Sequence, residues 1–274
     1  MAKTLCFYHS SDLDGHCSAA IFKLYNKDIE LIPIDYGDKF PWDIVAGQNV
    51  IMVDFTLQPY SDMLRLQSLC RLIWIDHHKT SIEWAEANNF NPDGFRLIGK
   101  AGCELAWEYL YEKEAPRSIQ YLSKYDTWNY ADNPNVLPFQ YAVRALSTLP
   151  DDTLFWHRLF YEDRIDDLID IGYIVLAYQK RVNEGFNKYA FDLEWEGLKW
   201  VVLNGPFKGS NWHTKYDINK YDAMMGFFWD GTQYIFSLTT EKDIDLSIIA
   251  GKYGGGGHKR AAGFQTITLP FTLG

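Results

Sequence analysis

Asp76, His77 and His78 follow the apolar run Arg71-Leu72-Ile73-Trp74-Ile75, so a carboxylate and two imidazoles gather where a buried strand is predicted to end. Two further apolar runs close on acid. Leu5-Cys6-Phe7-Tyr8-His9 leads into Asp12-Leu13-Asp14-Gly15, and Asn49-Val50-Ile51-Met52-Val53 leads into Asp54. In an open parallel sheet the carboxyl ends of neighbouring strands face one crevice, so these endings converge. Carboxylates crowded into a partly dry crevice repel one another unless cations neutralise them. Asp together with His suits Mn2+ better than a purely oxygen-ligated Ca2+ site, and the set predicts a two-metal centre. Such a centre activates water and neutralises phosphoryl oxygens, which is the chemistry of phosphoester hydrolysis. A single Asp after a strand is commonly only a helix N-cap or a turn former. Three such endings beside a His pair exceed that explanation.

The elements that must position these residues read as alternating strands and helices, the pattern of βαβ units and a parallel sheet. Strands are predicted over 4–8, 30–34, 50–54 and 71–75. Helical spacing covers 17–25 and 60–70, and then 82–87, 102–111 and 118–123. The last leads into Tyr125-Asp126-Thr127-Trp128. Residues 131–138 contain Asn133-Pro134-Asn135 and Pro138 and read as a turn-rich break. Residues 151–190 read as almost wholly helical. Beyond them the period changes to strands over 200–203, 223–228 and 234–238, a short helix over 246–252 and a returning strand over 264–269. The expected fold is therefore α/β: an N-terminal parallel-sheet domain with helices on both faces (1–150), a helical linker (151–190) and a smaller C-terminal α/β domain (191–274).

Composition bounds the partners. The 274 residues are 47% hydrophobic and 16% aromatic, enough for two cores, and no run approaches the roughly 18 apolar residues of a membrane span. No secretory pattern precedes the first strand, so a cytoplasmic protein without a membrane partner is expected. Cys6, Cys17, Cys70 and Cys103 form no C-x-x-C pair and read as small core residues, with a soft ligand or nucleophile as the alternative for Cys17. A formal net charge of −10 opposes a long basic groove for duplex nucleic acid and favours a small phosphorylated substrate.

With those residues in view, the chain resembles the DHH phosphoesterases. Asp12-x-Asp14-Gly15, the isolated Asp54, Asp76-His77-His78 and Asp126 look like the four motifs of that family. The run Gly254-Gly255-Gly256-Gly257-His258-Lys259-Arg260-Ala261-Ala262-Gly263-Phe264 looks like the signature of its associated substrate-binding domain, DHHA1. The resemblance implies that Asp54 bridges two ions, that His9 and Asp12 complete one site, and that Asp14, His77 and Asp126 complete the other. Asp76 is expected to orient His77 through the second ring nitrogen. His78 is expected to face the substrate phosphate, with metal ligation as its alternative. A strand-terminal His satisfied by backbone groups is the alternative for His9, and an exposed helix-start residue is the better reading of His16. Mn2+ is the expected ion and Mg2+ the alternative.

In the glycine run, Gly255, Gly256 and Gly257 allow backbone N–H groups to approach an anion, while His258 and Arg260 add charge. A glycine turn is the structural alternative. The order G-x-x-x-x-G-K-[ST] is not met, so this is no P-loop. Arg260 is the chief phosphate candidate because its planar fork matches two oxygens. Relatives often carry Arg in the preceding strand, where this chain has Ser237-Leu238-Thr239-Thr240; that contact is absent or supplied by Lys242 or Lys215. Trp128, Tyr130, Trp212 and Phe264 are candidates for base stacking, Trp128 and Trp212 foremost. The resemblance implies a Mn2+-dependent phosphohydrolase acting on short oligonucleotides or small nucleotides, with a homodimer among the admissible assemblies. Polyphosphate or pyrophosphate hydrolysis is the nearest alternative, and a nucleotide-binding regulatory module without turnover is the alternative of another class.

Overall fold

The computed structural model describes residues 2–146, 149–162, 164–205, 217 and 219–272. It divides into two compact units, Met1–Val175 and Leu176–Gly274.

The first unit is built on four parallel strands: β1 (Thr4–His9), β2 (Glu30–Ile34), β3 (Asn49–Val53) and β4 (Arg71–Ile75), in the order β2-β1-β3-β4. Strand alternation explains why both faces are covered. Leu5, Phe7, Val50, Met52, Leu72 and Trp74 enter one core with Met63 and Leu66 of α2 (Ser61–Leu69) and Ala85 of α3 (Lys79–Ala87). Cys6, Tyr8, Ile51, Val53 and Ile75 enter the other, against α1 (Leu13–Tyr25), α4 (Gly102–Tyr111) and α5 (Arg117–Asp126). The chain leaves β1 for β2 on one side and returns to β3 on the other. The carboxyl ends of β1 and β3 therefore flank the point where the strand order reverses, the usual ligand position in an open α/β sheet.

Several boundaries differ from the sequence expectation for local reasons. α1 starts at Leu13 because Asp12 caps it, its carboxylate accepting the Gly15 N–H at 3.0 Å. β3 stops at Val53, and α5 extends to Asp126. Part of the expected break at 131–138 lies in α6 (Val136–Ala145), where Pro138 occupies the first turn and needs no N–H. Within 151–190 the described residues form α7 (Thr153–Tyr161) and α8 (Ile165–Phe186). Trp156, Leu159, Phe160, Ile165 and Ile169 join the core of the first unit, so the division falls inside α8 rather than at residue 150.

The second unit is a six-stranded sheet in the order β5-β6-β7-β8-β10-β9, with α9 (Leu246–Lys252) against it. Its strands are β5 (Phe191–Trp195), β6 (Leu198–Asn204), β7 (Ala223–Trp229), β8 (Tyr234–Thr239), β9 (Gly256–His258) and β10 (Ala261–Thr266). Only the β6–β7 pair is parallel among the described residues. The returning strand thus spans Ala261–Thr266, not 264–269, because the β9–β10 hairpin sets its start. Phe264 is 3% exposed and stacks on Phe236 at 4.5 Å, which makes it a core residue and removes it as a stacking platform for a base. Among the described residues no helix is long and apolar enough to cross a membrane.

Candidate metal centre

The carboxyl ends of β1, β3 and β4, with the start of α1 and the end of α5, place His9, Asp12, Asp14, Asp54, His77 and Asp126 around one point. Asp54 leaves β3 with φ of +53°, a left-handed conformation that costs an L-residue on the order of 1–2 kcal/mol and that Asp tolerates better than most. Its N–H still donates to the Ile75 carbonyl at 2.9 Å, while its side chain is buried at 1% exposure. Each Asp54 oxygen faces a different imidazole: Oδ1 lies 3.2 Å from His77 Nε2, and Oδ2 lies 3.5 Å from His9 Nδ1. His77 Nε2 is also 3.5 Å from Asp14 Oδ2 and 3.3 Å from Asp126 Oδ2, and His9 Nδ1 is 3.0 Å from Asp12 Oδ2.

These contacts resolve into two triplets of convergent donor atoms, His9–Asp12–Asp54 and Asp14–His77–Asp126. Asp54 adjoins both. His9 Nδ1 and Asp54 Oδ2 are buried, lie 3.5 Å apart and have no hydrogen-bond partner, so two unsatisfied polar atoms converge on one point. A nitrogen and oxygen donor set of this kind fits Mn2+ or a similar divalent ion.

Backbone amides hold Asp14 in place. The N–H groups of Gly102 and Cys103, at the start of α4, donate to Asp14 Oδ2 and Oδ1 at 2.7 Å each, and the helix N-terminus favours the negative charge. A Cβ at position 102 would lie 2.9 Å from Asp54 Cβ and 3.1 Å from Asp14 Oδ2, so only glycine lets α4 approach this closely.

The electrostatics follow from crowding. Burial, reinforced by the charges of Asp54 and Asp126, pushes the Asp14 carboxyl well above its usual range. Burial likewise pushes Asp126 up to about 6, with Asp12 and Asp54 adding to it against the opposing pull of His77. Asp54 runs the other way: burial would raise it, but the hydrogen bond with His77 and the neighbouring His9 imidazole hold it well below. Burial opposes charge on His77, yet Asp54, Asp126 and Asp14 outweigh it and raise its pKa; His9 is raised likewise, chiefly by Asp12, against its burial. Protons supply here the positive charge that a cation can replace.

A pH dependence results. For Asp126, whose folded value of about 6 lies above its unfolded one, stability present while the group is protonated is lost as pH rises from about 4 to about 6. A divalent ion needs the carboxylate and the neutral imidazoles, so its binding releases protons. Mn2+ is expected to raise the melting temperature more at pH 7 than at pH 5. Equal shifts at both values in differential scanning fluorimetry would remove these groups from the binding site.

Asp76 departs from expectation. Its Oδ1 accepts the N–H of His77 at 2.7 Å and of His78 at 3.1 Å and lies 2.7 Å from His78 Nδ1, while Thr56 Oγ1 donates to Oδ2. Asp76 therefore orients the His78 ring rather than that of His77. The cause is the turn after Ile75, which folds the Asp76 carboxylate back over the next two amides and leaves the His77 ring facing Asp54. His16 Nε2 lies 3.0 Å from the Ser10 carbonyl, with the ring edge-on to Tyr8, and Cys17 is fully buried beside Cys103.

Sequence reasoning missed Asp35, whose Oδ1 lies 3.4 Å from His9 Nε2. The signal was available, since Asp35 follows β2 as Asp54 follows β3. Thr56 and the amides of Gly102 and Cys103 were also missed, and no spacing in the sequence announces them.

In the second unit the glycine run is partly strand. Gly256–His258 pairs with β10 in a hairpin, a strand that the sequence reading did not predict. A Cβ on Gly255 would collide with the Gly263 carbonyl oxygen, so packing alone demands glycine there. Arg260 is exposed between β9 and β10. Lys242 is engaged with Asp222 at 2.8 Å. Trp128 is partly buried, 6.3 Å from Tyr130 between ring centroids; Trp212 and Lys215 lie outside the described residues.

Comparisons with known proteins bear on the fold of the chain. Residues 3–129 match the DHH family, N-terminal domain. The uncharacterized protein R106 of Acanthamoeba polyphaga mimivirus is 28% identical over 270 residues, covering 90% of this chain; the chain spans 60% of the length of that relative. The fold is similar to pGpG-specific phosphodiesterase PggH of Vibrio cholerae, at 14% identity over 97% of this chain and 93% of that one, with a TM-score of 0.53. It is also similar to RecJ in complex with Mn2+ from Thermus thermophilus, at 14% identity over 97% of this chain and 50% of that one, with a TM-score of 0.50. At these identities the structural likeness is one of fold.

Proposed function

We propose, from the match of residues 3–129 to the N-terminal domain of the DHH family, that the protein is a Mn2+-dependent phosphohydrolase acting on short oligonucleotides or small nucleotides. The observation that carries the proposal is the pair of triplets, His9–Asp12–Asp54 and Asp14–His77–Asp126, joined at Asp54. Divalent ions there supply Lewis acidity to phosphoryl oxygens and to an attacking water. Asp54 spans the two halves with one oxygen toward each. Asp14, clamped by two amides, and Asp126 complete the half around His77. Asp76 fixes the His78 ring through Nδ1, which supports His78 as the imidazole that meets a phosphoryl oxygen.

The preference for short nucleotides is supported by the net charge of −10, which disfavours long duplexes. Gly255, Gly256, Gly257, His258 and Arg260 are the proposed phosphate-binding residues of the second unit. Arg260→Ala is expected to raise KM about tenfold with kcat nearly unchanged, the pattern of lost uniform binding. An unchanged KM would detach this hairpin from the substrate.

The test is incubation of the purified protein with Mn2+ and dinucleotides, 3′-phosphoadenosine 5′-phosphate, cyclic dinucleotides and polyphosphate. Mononucleotide release from dinucleotides is expected. Phosphate release from polyphosphate alone would overturn the nucleotide preference. No product from any compound would favour a regulatory binding module instead.

A further inference from the structure

His9 ends β1 with its two ring nitrogens in different surroundings. Nδ1 lies 3.0 Å from Asp12 Oδ2 and 3.5 Å from Asp54 Oδ2 and makes no hydrogen bond. Nε2 lies 3.4 Å from Asp35 Oδ1. Asp35 is itself fixed: Oδ1 accepts the Tyr36 N–H at 2.7 Å, Oδ2 accepts from Ser11 Oγ, and its own N–H donates to Asp38 Oδ2 at 2.8 Å. Ser10 ties the end of β1 to the end of β2 through N–H and Oγ bonds of 3.0 and 3.3 Å to the Ile34 carbonyl. The sheet thus delivers a restrained carboxylate to the outer nitrogen of His9.

A neutral imidazole carries one proton, and both nitrogens of His9 face a carboxylate; where Asp12 and Asp54 are committed to a divalent ion, Asp35 is the acceptor left for that proton, and Nδ1 keeps the lone pair. We propose that Asp35 holds His9 in its Nε2–H form and so aims the Nδ1 lone pair at a divalent ion in the His9–Asp12–Asp54 half of the centre. This rests on the metal reading given above and adds a positioning residue that serves one half only. The side-chain contacts of Asp35 are with His9, Ser11 and Tyr36, on the His9 side of the centre. Carboxylates placed behind ligating imidazoles commonly set both ring orientation and basicity.

The test is a titration with Mn2+, the free ion read by electron paramagnetic resonance, on the wild-type protein, Asp35→Ala and Asp35→Asn. Two ions are expected in the wild type. In Asp35→Ala one of them should bind about 10–100-fold more weakly while the other keeps its affinity. Asp35→Asn should recover most of the loss, because its amide oxygen still accepts from Nε2–H. Unchanged affinities in Asp35→Ala overturn the proposal, as does an Asn variant as weak as Ala, which would mark an effect of charge alone. Long-range 15N–1H correlations of the Mg2+-loaded wild type read the tautomer without any substitution, and an Nδ1–H ring at His9 overturns the proposal. A wild-type protein that binds no Mn2+ overturns the metal reading itself, which separates the two failures.

Discussion

Asp54→Asn is expected to lower kcat by at least about 1000-fold, because the several kcal/mol that paired ions contribute to transition-state charge depend on a group shared between them. The side chain is 1% exposed and is the only residue whose two oxygens face His9 and His77 separately among the described residues. Asn keeps the shape and tolerates the left-handed backbone at φ +53°, whereas Ala would add backbone strain of about 1 kcal/mol to the loss of charge. Removing the carboxylate relieves its repulsion with Asp14 and Asp126 but also takes from His9 and His77 the partner whose pKa they hold low, so the metal-free protein should melt lower at neutral pH. Steady-state kinetics on a substrate that the wild type hydrolyses, with Mn2+ stoichiometry measured alongside, decide the matter. Retention of wild-type kcat with two bound ions would refute the shared role of Asp54.

The strand ends were legible in the sequence because a buried parallel strand is a nearly continuous apolar run, and the residues just past its carboxyl end face the crevice. Asp12, Asp14, Asp54 and His77 were found in this way. Asp35 obeys the same rule yet stands alone, without a second acid or a His beside it, and so carried no weight. The aim of Asp76 depends on the turn after Ile75, a matter of backbone torsion that residue spacing does not encode. The amides that clamp Asp14 come from 88 and 89 residues away and belong to the backbone, which carries no residue signature at all. In the second unit the glycine run was read as a backbone nest for an anion, with a turn as the alternative, and its strand pairing was not foreseen. The antiparallel pairing of Gly256–His258 with β10 overrides the low strand preference of glycine. Pro138 misled for a related reason: a proline in the first turn of a helix is compatible with it, and the sequence does not say where the turn begins.

Gly102→Ala is expected to weaken Mn2+ binding and kcat together by about 10–100-fold, because a displacement approaching 1 Å in a reacting constellation costs about 100-fold. The substitution offers a sharp contrast of signs. Glycine at 102 has no positive φ, so alanine is free of backbone strain there and on helix propensity alone should stabilise the protein by about 1 kcal/mol. Against that, the new Cβ would lie 2.9 Å from Asp54 Cβ, 3.1 Å from Asp14 Oδ2 and 3.3 Å from Ser18 Oγ, all in residues 3% exposed or less. Overpacking of such a site typically costs about 1–3 kcal/mol, which cancels or exceeds the propensity gain. The atoms that must yield are those of the two carboxylates nearest the helix, so the damage falls on metal binding more than on folding. Gly185→Ala in α8 is the matched control, since a Cβ there meets nothing within 4 Å and only the propensity gain remains. Isothermal titration with Mn2+ and thermal melts of both variants separate the effects. A Gly102→Ala protein that melts higher and binds Mn2+ as the wild type does would show that α4 does not need to lie against Asp14 and Asp54 for the centre to form.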